Sequence, residues 1–439
     1  MVIKKIVGLI LCLIMAVMLS GCDLLTTETA ELLSPPSLSE ELSAIAEAID
    51  NSVSADYEFE YPSRGDYRSA VVQTDINDDG VFEAFAFYGI TEGENVTMNI
   101  NALVCKDGVW SSAAQQKIVA GGVDKIEFCD LDADGSKEIL VGWEIYGTTE
   151  MQLGVYSIGE NSLTQRMLQQ YSQFVTCDLD GDKTNEILVI KANAAEQMNT
   201  ANLFEFNDEG VTEIASCELD SAAKTINEPI IENLSTGKAA AYIDEIKGVG
   251  AVTEVIFIEK GVMVNPLFAP DTRETVATLR SSLLKCMDIN GDNVLDIPVQ
   301  VAVPSVTTTK ANEKLYLIDW CSFNGESLTK QITTMVNAED GYYYEIPEKW
   351  VGKIAVLKDT ENRLRQIYKF NAEENSVGDS LLYIKAVPKS DWESGKYKTQ
   401  GIFEIMNDGQ ESFICSISDT AKKEGLTEEE IKLKFKLYE

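Results

Sequence analysis

Acidic side chains recur with one fixed spacing in four short segments, at residues 75–83, 130–138, 178–186 and 288–296. In every segment an Asp or Asn stands at positions 1, 3 and 5, and an Asp or Glu stands at position 9. Oxygen-bearing side chains at alternate positions of a tight loop converge on one point, and Ca²⁺ prefers six to eight oxygen ligands. We therefore predict calcium loops with these side-chain ligands: Asp75, Asn77, Asp79 and Glu83; Asp130, Asp132, Asp134 and Glu138; Asp178, Asp180, Asp182 and Glu186; Asp288, Asn290, Asp292 and Asp296.

Two other acidic repeats fit the sequence less well. An EF-hand places a bidentate Glu at position 12 between two helices, but position 12 here is Ala86, Val141, Val189 or Val299. A dockerin-type pair has closely spaced copies that lead into helices, whereas these loops lie 55, 48 and 110 residues apart. Runs of β-branched and aromatic residues follow each loop and indicate buried strands. The loops are therefore expected to join pairs of β-strands.

The spacing of 110 residues is twice 55 and predicts a hidden repeat near residue 232. Residues 231–243 keep a glycine and an apolar run but lack the alternating acids, so this repeat is interpreted as having lost its metal. Four strands in roughly 50 residues, repeated along a chain, are typical of propeller blades. We predict a mainly β fold, a β-propeller of four-stranded blades with room for six or seven, in which five are recognised from starts near residues 68, 123, 171, 227 and 281.

These loops and strands resemble the FG-GAP or VCBS-type repeat, the blade also found in the head of integrin α subunits. The similarity covers about residues 68–337. It implies that calcium binds between the first two strands of a blade, with the ligand side chains given above. It also implies a backbone carbonyl ligand at position 7, from Val81, Ser136, Thr184 and Val294. Lys183 and Asn293 depart from the family's usual glycine at position 6, and Lys tolerates the left-handed conformation less well than Asn does.

The amino terminus has the pattern of a bacterial lipoprotein signal. Residues 1–21 combine two lysines with an apolar run too short to span a membrane. They end in a segment that resembles a lipobox and implies cleavage before Cys22 and a diacylglyceryl anchor on its sulfur. The alternative is an ordinary cleaved signal with a chance cysteine. We predict a lipid-anchored protein on the extracytoplasmic face of the cell membrane, because two acyl chains suffice for stable anchoring.

Residues 22–67 are predicted to form a polar tether and a short helix. An apolar stripe marks the helix at Leu38, Leu42, Ile45 and Ile49. The entry segment, which we define as residues 61–70, resembles a group of lipoproteins from low-GC Gram-positive bacteria without an assigned activity. Its tripeptide Arg64-Gly-Asp66 spells an integrin-recognition motif, which we interpret as coincidence because three residues carry little information.

Composition excludes several classes of function. The chain has 72 acidic and 36 basic residues, and this negative charge repels nucleic acid. It has no histidine, which excludes Ser-His-Asp and Cys-His catalysis and histidine-bound zinc. Cys129, Cys177 and Cys286 occupy similar places before the acidic loops, and this placement predicts buried free thiols rather than a disulfide framework.

The blade pattern stops after Asn337. Residues 338–439 contain six further strand-like runs, and Thr427 could cap a final helix. Two interpretations stay open, a small C-terminal α+β domain or divergent blades that complete the propeller.

The favoured function is that of a calcium-stabilised surface propeller that binds a protein or glycan partner without transforming it. One rival is a carbohydrate-active enzyme with two carboxyls about 5 to 10 Å apart on the face opposite the calcium loops. Another is a purely structural envelope component, which would have no ligand cleft.

Overall fold

The computed structural model describes residues 40–92, 95–148, 150–159, 161–193, 198–207, 210–304 and 315–438. The predicted signal peptide, Cys22 and most of the tether lie outside these residues. Within the described part of the chain, no helix has the length and apolar character needed to cross a bilayer.

The described residues form a mainly β fold, with antiparallel sheets that follow one another along the chain. The first four sheets contain strands that are contiguous in sequence. Sheet 1 comprises β1 (Glu58–Phe59), β2 (Val71–Thr74), β3 (Glu83–Glu92), β4 (Asn95–Lys106) and β5 (Val109–Ile118). Sheet 2 comprises β6 (Gly122–Cys129), β7 (Glu138–Glu144), β8 (Met151–Gly159) and β9 (Ser162–Tyr171). Sheet 3 comprises β10 (Gln173–Cys177), β11 (Glu186–Asn193), β12 (Met198–Asn207) and β13 (Gly210–Leu219). Sheet 4 comprises β14 (Thr225–Ile226), β15 (Ile230–Asn233), β16 (Ala239–Lys247), β17 (Gly250–Glu259) and β18 (Val262–Val264).

A short hairpin of β19 (Phe268–Ala269) and β20 (Glu274–Thr275) leads to the last two sheets. Sheet 5 has the order β21 (Ile297–Ala302), β22 (Tyr316–Phe323), β23 (Leu328–Asn337), β24 (Tyr342–Glu345) and β30 (Phe435–Leu437). Sheet 6 has the order β25 (Ile354–Asp359), β26 (Leu364–Asn371), β27 (Ser376–Pro388), β29 (Glu411–Ile417) and β28 (Ile402–Asn407). The helical elements are α1 (Glu40–Ser52), a 3₁₀ turn (Glu348–Trp350), α2 (Lys389–Glu393), α3 (Asp419–Lys423) and α4 (Glu428–Lys434).

Tight turns explain why each sheet is built from strands that are neighbours in sequence. Asp107 and Gly108 both have positive φ, 52° and 79°, between the paired strands β4 and β5. Lys260 and Gly261 do the same between β17 and β18, with φ of 53° and 78°. Two consecutive left-handed residues match the right-handed twist of a hairpin. These residues therefore form the turns of two hairpins.

Buried apolar clusters join each sheet to the next one in sequence. Phe87 of sheet 1 packs with Ile126 of sheet 2, and the pattern continues to the cluster that joins sheet 5 to sheet 6. Helix α1 buries Ile45 and Ile49 against Tyr88 on sheet 1, so the predicted helix is confirmed. Of the predicted apolar stripe, Leu42 is exposed and Leu38 lies outside the described residues. Sheets stacked in chain order around shared cores give the predicted propeller-type, mainly β architecture.

The carboxy-terminal region contributes to two sheets. Residues 342–345, placed by the sequence beyond the last recognised blade, form the fourth strand of sheet 5, and β30 pairs with this strand. Sheet 6 lies between them in sequence. The hydroxyl of Thr427 accepts a hydrogen bond of 3.2 Å from the amide of Glu430 at the start of α4. The predicted helix cap is therefore confirmed.

Candidate metal centres

The four acidic loops each connect two paired strand segments. In every loop the residue before position 1 pairs with position 9: Thr74 with Glu83, Cys129 with Glu138, Cys177 with Glu186, and Met287 with Asp296. The prediction that the loops join β-strands, and not helices, is therefore confirmed. The strand register brings both ends of each loop together, so the acids between them are held on one short arc.

Side-chain-to-backbone hydrogen bonds shape every loop in the same way. The position 1 carboxylate accepts from the position 6 amide, as in Asp75 with Gly80 at 2.8 Å and Asp130 with Gly135 at 3.0 Å. The position 5 carboxylate accepts from the position 7 amide, as in Asp182 with Thr184 at 2.7 Å. These are Asx-type turns. They bring the side chains at positions 1, 3 and 5 to the inside of the loop.

Position 6 requires a left-handed backbone. Gly80 and Gly135 have φ of 85° and 91°, while Lys183 and Asn293 adopt 79° and 63°. A non-glycine residue in this region is disfavoured by roughly 1–2 kcal/mol, and Asn less than others. On sequence grounds, Lys183 therefore makes the third loop the one with the least favourable residue at position 6. The loop nevertheless keeps the same turn, because the Lys183 amide donates to Asp178 at 3.0 Å.

Three of the four position 9 acids are buried beneath the loops, and Glu83 of the first loop is half-buried. Glu138, Glu186 and Asp296 are each almost fully buried, and each accepts a hydrogen bond from the amide at position 2. Burial, reinforced by the negative charge of the other loop carboxylates, raises the pKa of each of these three acids to about 7. A buried carboxylate of this kind is stabilised by a bound cation.

Two loops bring enough carboxylates together to hold a metal ion. Asp178, Asp180, Asp182 and Glu186 offer oxygens that all lie within 4.8 Å of one another. Asp130, Asp132 and Glu138 form the second such group. In addition, Oδ1 of Asp130 and Oδ1 of Asp296 are buried oxygens without a hydrogen-bond partner among the described residues. Such orphan acceptors fit a ligand that supplies positive charge.

The first and fourth loops are less complete. Both carry Asn at position 3, and the Asn77 and Asn290 amides donate to the position 5 acids Asp79 and Asp292 at 3.2 and 2.9 Å. Within the described ranges, the acids of these loops do not form a group of three at metal-binding spacing. The predicted ligands are therefore gathered most closely in the second and third loops.

Neighbouring loops lie side by side on one face of the molecule. Lys137 of the second loop donates from Nζ to the carbonyl of Asp75 in the first, at 2.9 Å. Its backbone amide also donates to the carbonyl of Ile76 at 2.7 Å. Ions bound in these loops would reduce the mutual repulsion of a shared acidic surface.

We expect Glu186→Gln to have effects of opposite sign with and without calcium. The amide oxygen can still accept from the Leu179 amide, while a buried negative charge beside Asp180 is removed. The variant should thus unfold at the same or a higher temperature than the parent in excess chelator. In calcium it should be less stable by about 1.4 kcal/mol if the ion is present at ten times Kd.

The matched control is Glu205→Gln, on the exposed side of β12. Heat unfolding of the three proteins in calcium and in chelator measures the effect. Equal shifts of the Glu186 variant in both buffers would show that Glu186 is not a metal ligand.

Comparisons with known proteins do not assign a family. No family profile matches the chain, and no curated protein matches it. The similar solved structures include a rhamnogalacturonan lyase of Bacillus licheniformis, with 14% identity over 54% of this chain and 58% of that chain and a TM-score of 0.31. They also include the exotype rhamnogalacturonan lyase YesX, with 12% identity over 74% of both chains and a TM-score of 0.32. The periplasmic gluconolactonase PpgL of Pseudomonas aeruginosa has 10% identity over 72% of this chain and 86% of that one, with a TM-score of 0.26.

The chain spans 58% of the length of the Bacillus licheniformis lyase. TM-scores this low carry no information about the activity of this chain. The similarity to FG-GAP or VCBS repeats stays a prediction from the loop motif.

Sheet 4 lacks an acidic loop, as the sequence predicted, and it contains a buried ion pair. Its turn at residues 234–238 leads into β16 without alternating acids. In the interior, the Arg280 guanidinium donates to Asp244 at 2.9 Å and to the Thr253 hydroxyl at 3.0 Å. The Cys286 amide donates to the other oxygen of Asp244 at 2.9 Å. This network supplies the buried Asp244 carboxylate with a cation and with hydrogen-bond donors.

A second buried acid in sheet 4 has no cation of its own. Glu245 is fully buried, and both its carboxylate oxygens lack a hydrogen-bond donor among the described residues. Burial raises its pKa well above the usual value, and the acids Glu254 and Asp220 add to this while Lys247 opposes it. Between the ordinary carboxyl pKa and this raised pKa, Glu245 binds a proton in the folded state and loses it on unfolding.

We therefore expect Glu245→Gln to stabilise the protein increasingly as pH rises. Below the ordinary carboxyl pKa both states are protonated, so the two proteins should have similar stability. Above it, unfolding of the parent is favoured by release of the proton, until pH reaches the raised pKa. Denaturant unfolding from pH 4 to 8, with the exposed Glu232→Gln as control, measures the difference in the free energy of unfolding between variant and parent. A difference that does not change with pH would contradict the prediction.

The entry segment crosses the first strands of sheets 2 and 3, a placement that the sequence did not predict. The amides of Ser63 and Arg64 donate to the carbonyls of Val123 and Asp124 on β6. The Arg64 guanidinium then pairs with Asp124 at 2.7 Å and donates to Gln173 on β10 at 2.6 Å. Arg64 is thus held by internal contacts, which agrees with the interpretation of the Arg-Gly-Asp tripeptide as coincidence.

Lys125 is the centre of a charged cluster beneath this segment. Its Nζ lies 2.6 Å from Glu127 and 2.7 Å from Glu228, and it donates to the carbonyl of Phe174 at 3.0 Å. Gly65 has φ of 84°, and a Cβ there would lie 3.3 Å from Lys125 Cγ. Glycine permits both the left-handed turn and this close approach. A lone Lys within a strand pattern gave no sequence signal for the cluster.

The prediction of free thiols is confirmed for the described cysteines, although Cys129 is only half-buried. Cys129, Cys177 and Cys286 are free thiols, and the last two are buried. Burial raises the pKa of Cys129. Thiols of this kind pack as small apolar groups.

Proposed function

We propose that this chain is a lipid-anchored protein of the extracytoplasmic membrane face, with a calcium-stabilised propeller that binds a protein or glycan partner and does not transform it. The proposal of a bound metal ion is supported by one cluster, in which the carboxylates of Asp178, Asp180, Asp182 and Glu186 lie close together. The predicted signal and Cys22 support the anchoring part.

Calcium fits the ligand set better than other common ions. The donors are oxygens only, and the chain contains no histidine, so the site chemistry differs from that of zinc or copper. Mg²⁺ demands near-ideal octahedral geometry and releases its waters reluctantly, whereas Ca²⁺ accepts the flexible geometry of a short surface loop. Affinities in the extracellular range, roughly 10⁻⁴ to 10⁻³ M, are expected.

Calorimetric titration of the mature chain with Ca²⁺ tests the metal assignment. We expect saturable binding, loss of one site in Asp178→Asn, and weaker binding of Mg²⁺. The same titration of Asp419→Asn, an exposed acid at the start of α3, is the control. Absence of saturable calcium binding would remove the metal assignment.

Fractionation of cells tests the anchor. The parent should sediment with membranes and be extracted by detergent, while Cys22→Ser should appear in the soluble fraction outside the membrane. Cys129→Ser is the matched control, since that thiol lies within sheet 2, and it should stay with the membrane. A Cys22 variant that remains anchored would contradict the lipoprotein proposal.

One observation favours a carbohydrate-active enzyme as the second candidate. Oxygens of Glu60 and Glu144 both lie 3.1 Å from the point that a Cβ on Gly122 would occupy, at the ends of the strands opposite the metal loops. Burial, followed by the charge of Glu144, raises the pKa of Glu60. Two exposed tyrosines, Tyr61 and Tyr146, are close to these acids in the sequence. A carboxyl with a raised pKa next to a second carboxyl is the arrangement that glycosidases use.

A screen of the mature chain against neutral and acidic polysaccharides, with release of reducing ends as the readout, tests this candidate. If activity is found, Glu60→Gln and Glu144→Gln should each abolish it, and the exposed neighbour Glu58→Gln should not. Activity that survives both substitutions would exclude the pair as its source.

A further inference from the structure

A cavity of about 340 Å³ opens between the entry segment and the first strands of sheets 2 and 3. Its volume is within the range of small-molecule sites, about 300–1,000 Å³. Polar and aromatic side chains line it together: Asp66, Tyr67, Glu127, Phe128, Thr176 and Glu228. It is separate from the acidic loops, which lie beyond the ends of these strands.

In the walls of this cavity the cationic Lys125 is covered, whereas the acidic side chains are exposed to solvent. The Lys125 side chain is 3% exposed, whereas those of Glu127 and Glu228 are 22% and 48% exposed. Asp66 is exposed as well. A ligand therefore meets three carboxylates, while the Lys125 ammonium is covered and the nearby Arg64 guanidinium, 3.6 Å from Glu228, is already paired with Asp124. A cluster that served stability alone would need no such excess of negative charge, because unpaired charge destabilises a folded protein.

The carboxylates are also held in place. Glu127 and Glu228 both pair with Lys125 Nζ. This shared partner keeps one oxygen of each carboxylate close to the other. The Thr176 hydroxyl donates to the other oxygen of Glu127 at 3.3 Å. Positions fixed in this way can accept hydrogen bonds from a ligand without a large loss of side-chain entropy.

An aromatic wall completes the cavity. Tyr67 and Phe128 contact each other edge to face, with ring centroids 5.2 Å apart. Aromatic faces pack against alkyl chains and attract cations by about 0.5–2 kcal/mol. Carboxylates beside an aromatic wall are suited to a primary ammonium at the end of an alkyl chain, whose three donors match separate acceptor oxygens.

We propose that this cavity binds the side chain of a lysine presented by a partner protein. The proposal deepens the partner-binding function above, because it names the group that is recognised. The lysine ammonium lies against Glu228 and Glu127, and its alkyl chain packs on Tyr67. A free polar sugar, which carries no charge, gains less from an anionic cavity.

Calorimetric binding of Nα-acetyl-lysine methylamide to the mature, detergent-solubilised chain in saturating calcium tests this proposal. The matched probe is the norleucine analogue, which has the same alkyl chain without the ammonium. We expect saturable binding of the lysine probe and none of the norleucine probe. Equal binding of both probes, or binding of neither, overturns the proposal.

Variants localise the binding. Glu228→Gln and Glu127→Gln should each weaken the lysine probe at least tenfold, the loss expected for one charge-assisted hydrogen bond. Glu348→Gln, a 77% exposed acid paired with Lys330 on sheet 5, is the control and should bind as the parent does. Heat unfolding checks that each variant is folded. Tyr67→Ala leaves the charges of the cavity unchanged and should also weaken binding of the lysine probe. Equal weakening by Glu228→Gln and Glu348→Gln would indicate general charge attraction and overturn the site.

The calcium titration separates this proposal from the function on which it rests. If the loops bind calcium and the lysine probe does not bind, the cavity proposal fails alone. If calcium also fails to bind, the metal part of the proposed function fails with it.

Discussion

Removal of calcium is expected to lower the unfolding temperature of the mature chain by a large amount. Each occupied loop adds about 1.4 kcal/mol at an ion concentration of ten times Kd, and four loops carry the motif. Without the ion, the buried acids Glu138, Glu186 and Asp296 lie among other carboxylates with no metal to balance their charge. Differential scanning calorimetry in calcium and in excess chelator measures the shift.

Two controls make this result specific. Magnesium at the same ionic strength should restore little of the stability, because charge screening alone does not supply a coordination site. A protein with Asp130→Asn and Asp178→Asn should show a smaller calcium effect than the parent. An unfolding temperature that does not depend on the chelator would show that the loops are Asx-rich turns and nothing more.

Arg280→Met is expected to destabilise the protein by about 3–5 kcal/mol, the usual effect of breaking a buried ion pair by removing one partner. Arg280 and Asp244 have side chains that are 0% and 5% exposed. The remaining Asp244 carboxylate keeps the Cys286 amide and the Thr253 hydroxyl as donors but loses the charge that balances it. Denaturant unfolding at neutral pH measures the loss.

The second substitution Asp244→Asn should recover part of this stability, since a neutral pair leaves no buried charge. Arg273→Met is the control, because the pair of Arg273 with Glu218 is 40% and 46% exposed and should contribute at most about 1 kcal/mol. Similar losses in the two arginine variants would contradict the view that sheet 4 depends on an internal cation.

The loops could be predicted because their information is local in the chain. Ligands at positions 1, 3, 5 and 9 of one segment leave a pattern that a reader can find without any long-range contact. The strand that follows each loop is also local, since its apolar run is continuous. The register of Cys177 with Glu186, which closes the loop, follows from the same short distance along the sequence.

The cavity and its cluster could not be predicted in this way. Arg64 meets Gln173 across 109 residues, and Lys125 meets Glu228 across 103. No spacing within one repeat indicates such contacts. The composition showed only an excess of acids, and the positions where those acids face one another depend on how the sheets stack.

The same limit applies to the carboxy terminus. The runs near residues 342–346 and 353–357 indicated strands, but nothing local distinguishes a strand that completes sheet 5 from one that begins sheet 6. Alternation at Ile431, Leu433 and Phe435 also suited either helix or strand. The structure divides this stretch between α4 and β30.

The pairing of β30 with β24 has a consequence for biogenesis. Sheets 1 to 4 are each complete once their own contiguous stretch of chain is available, so they can form one after another as the chain is synthesised. Sheet 5 has to wait for residues 435–437, which are synthesised after all of sheet 6. A polypeptide that ends a few residues early would therefore lack β30, and the edge of β24 in sheet 5 would be unpaired. Proteases would be expected to cleave such a chain near this exposed edge.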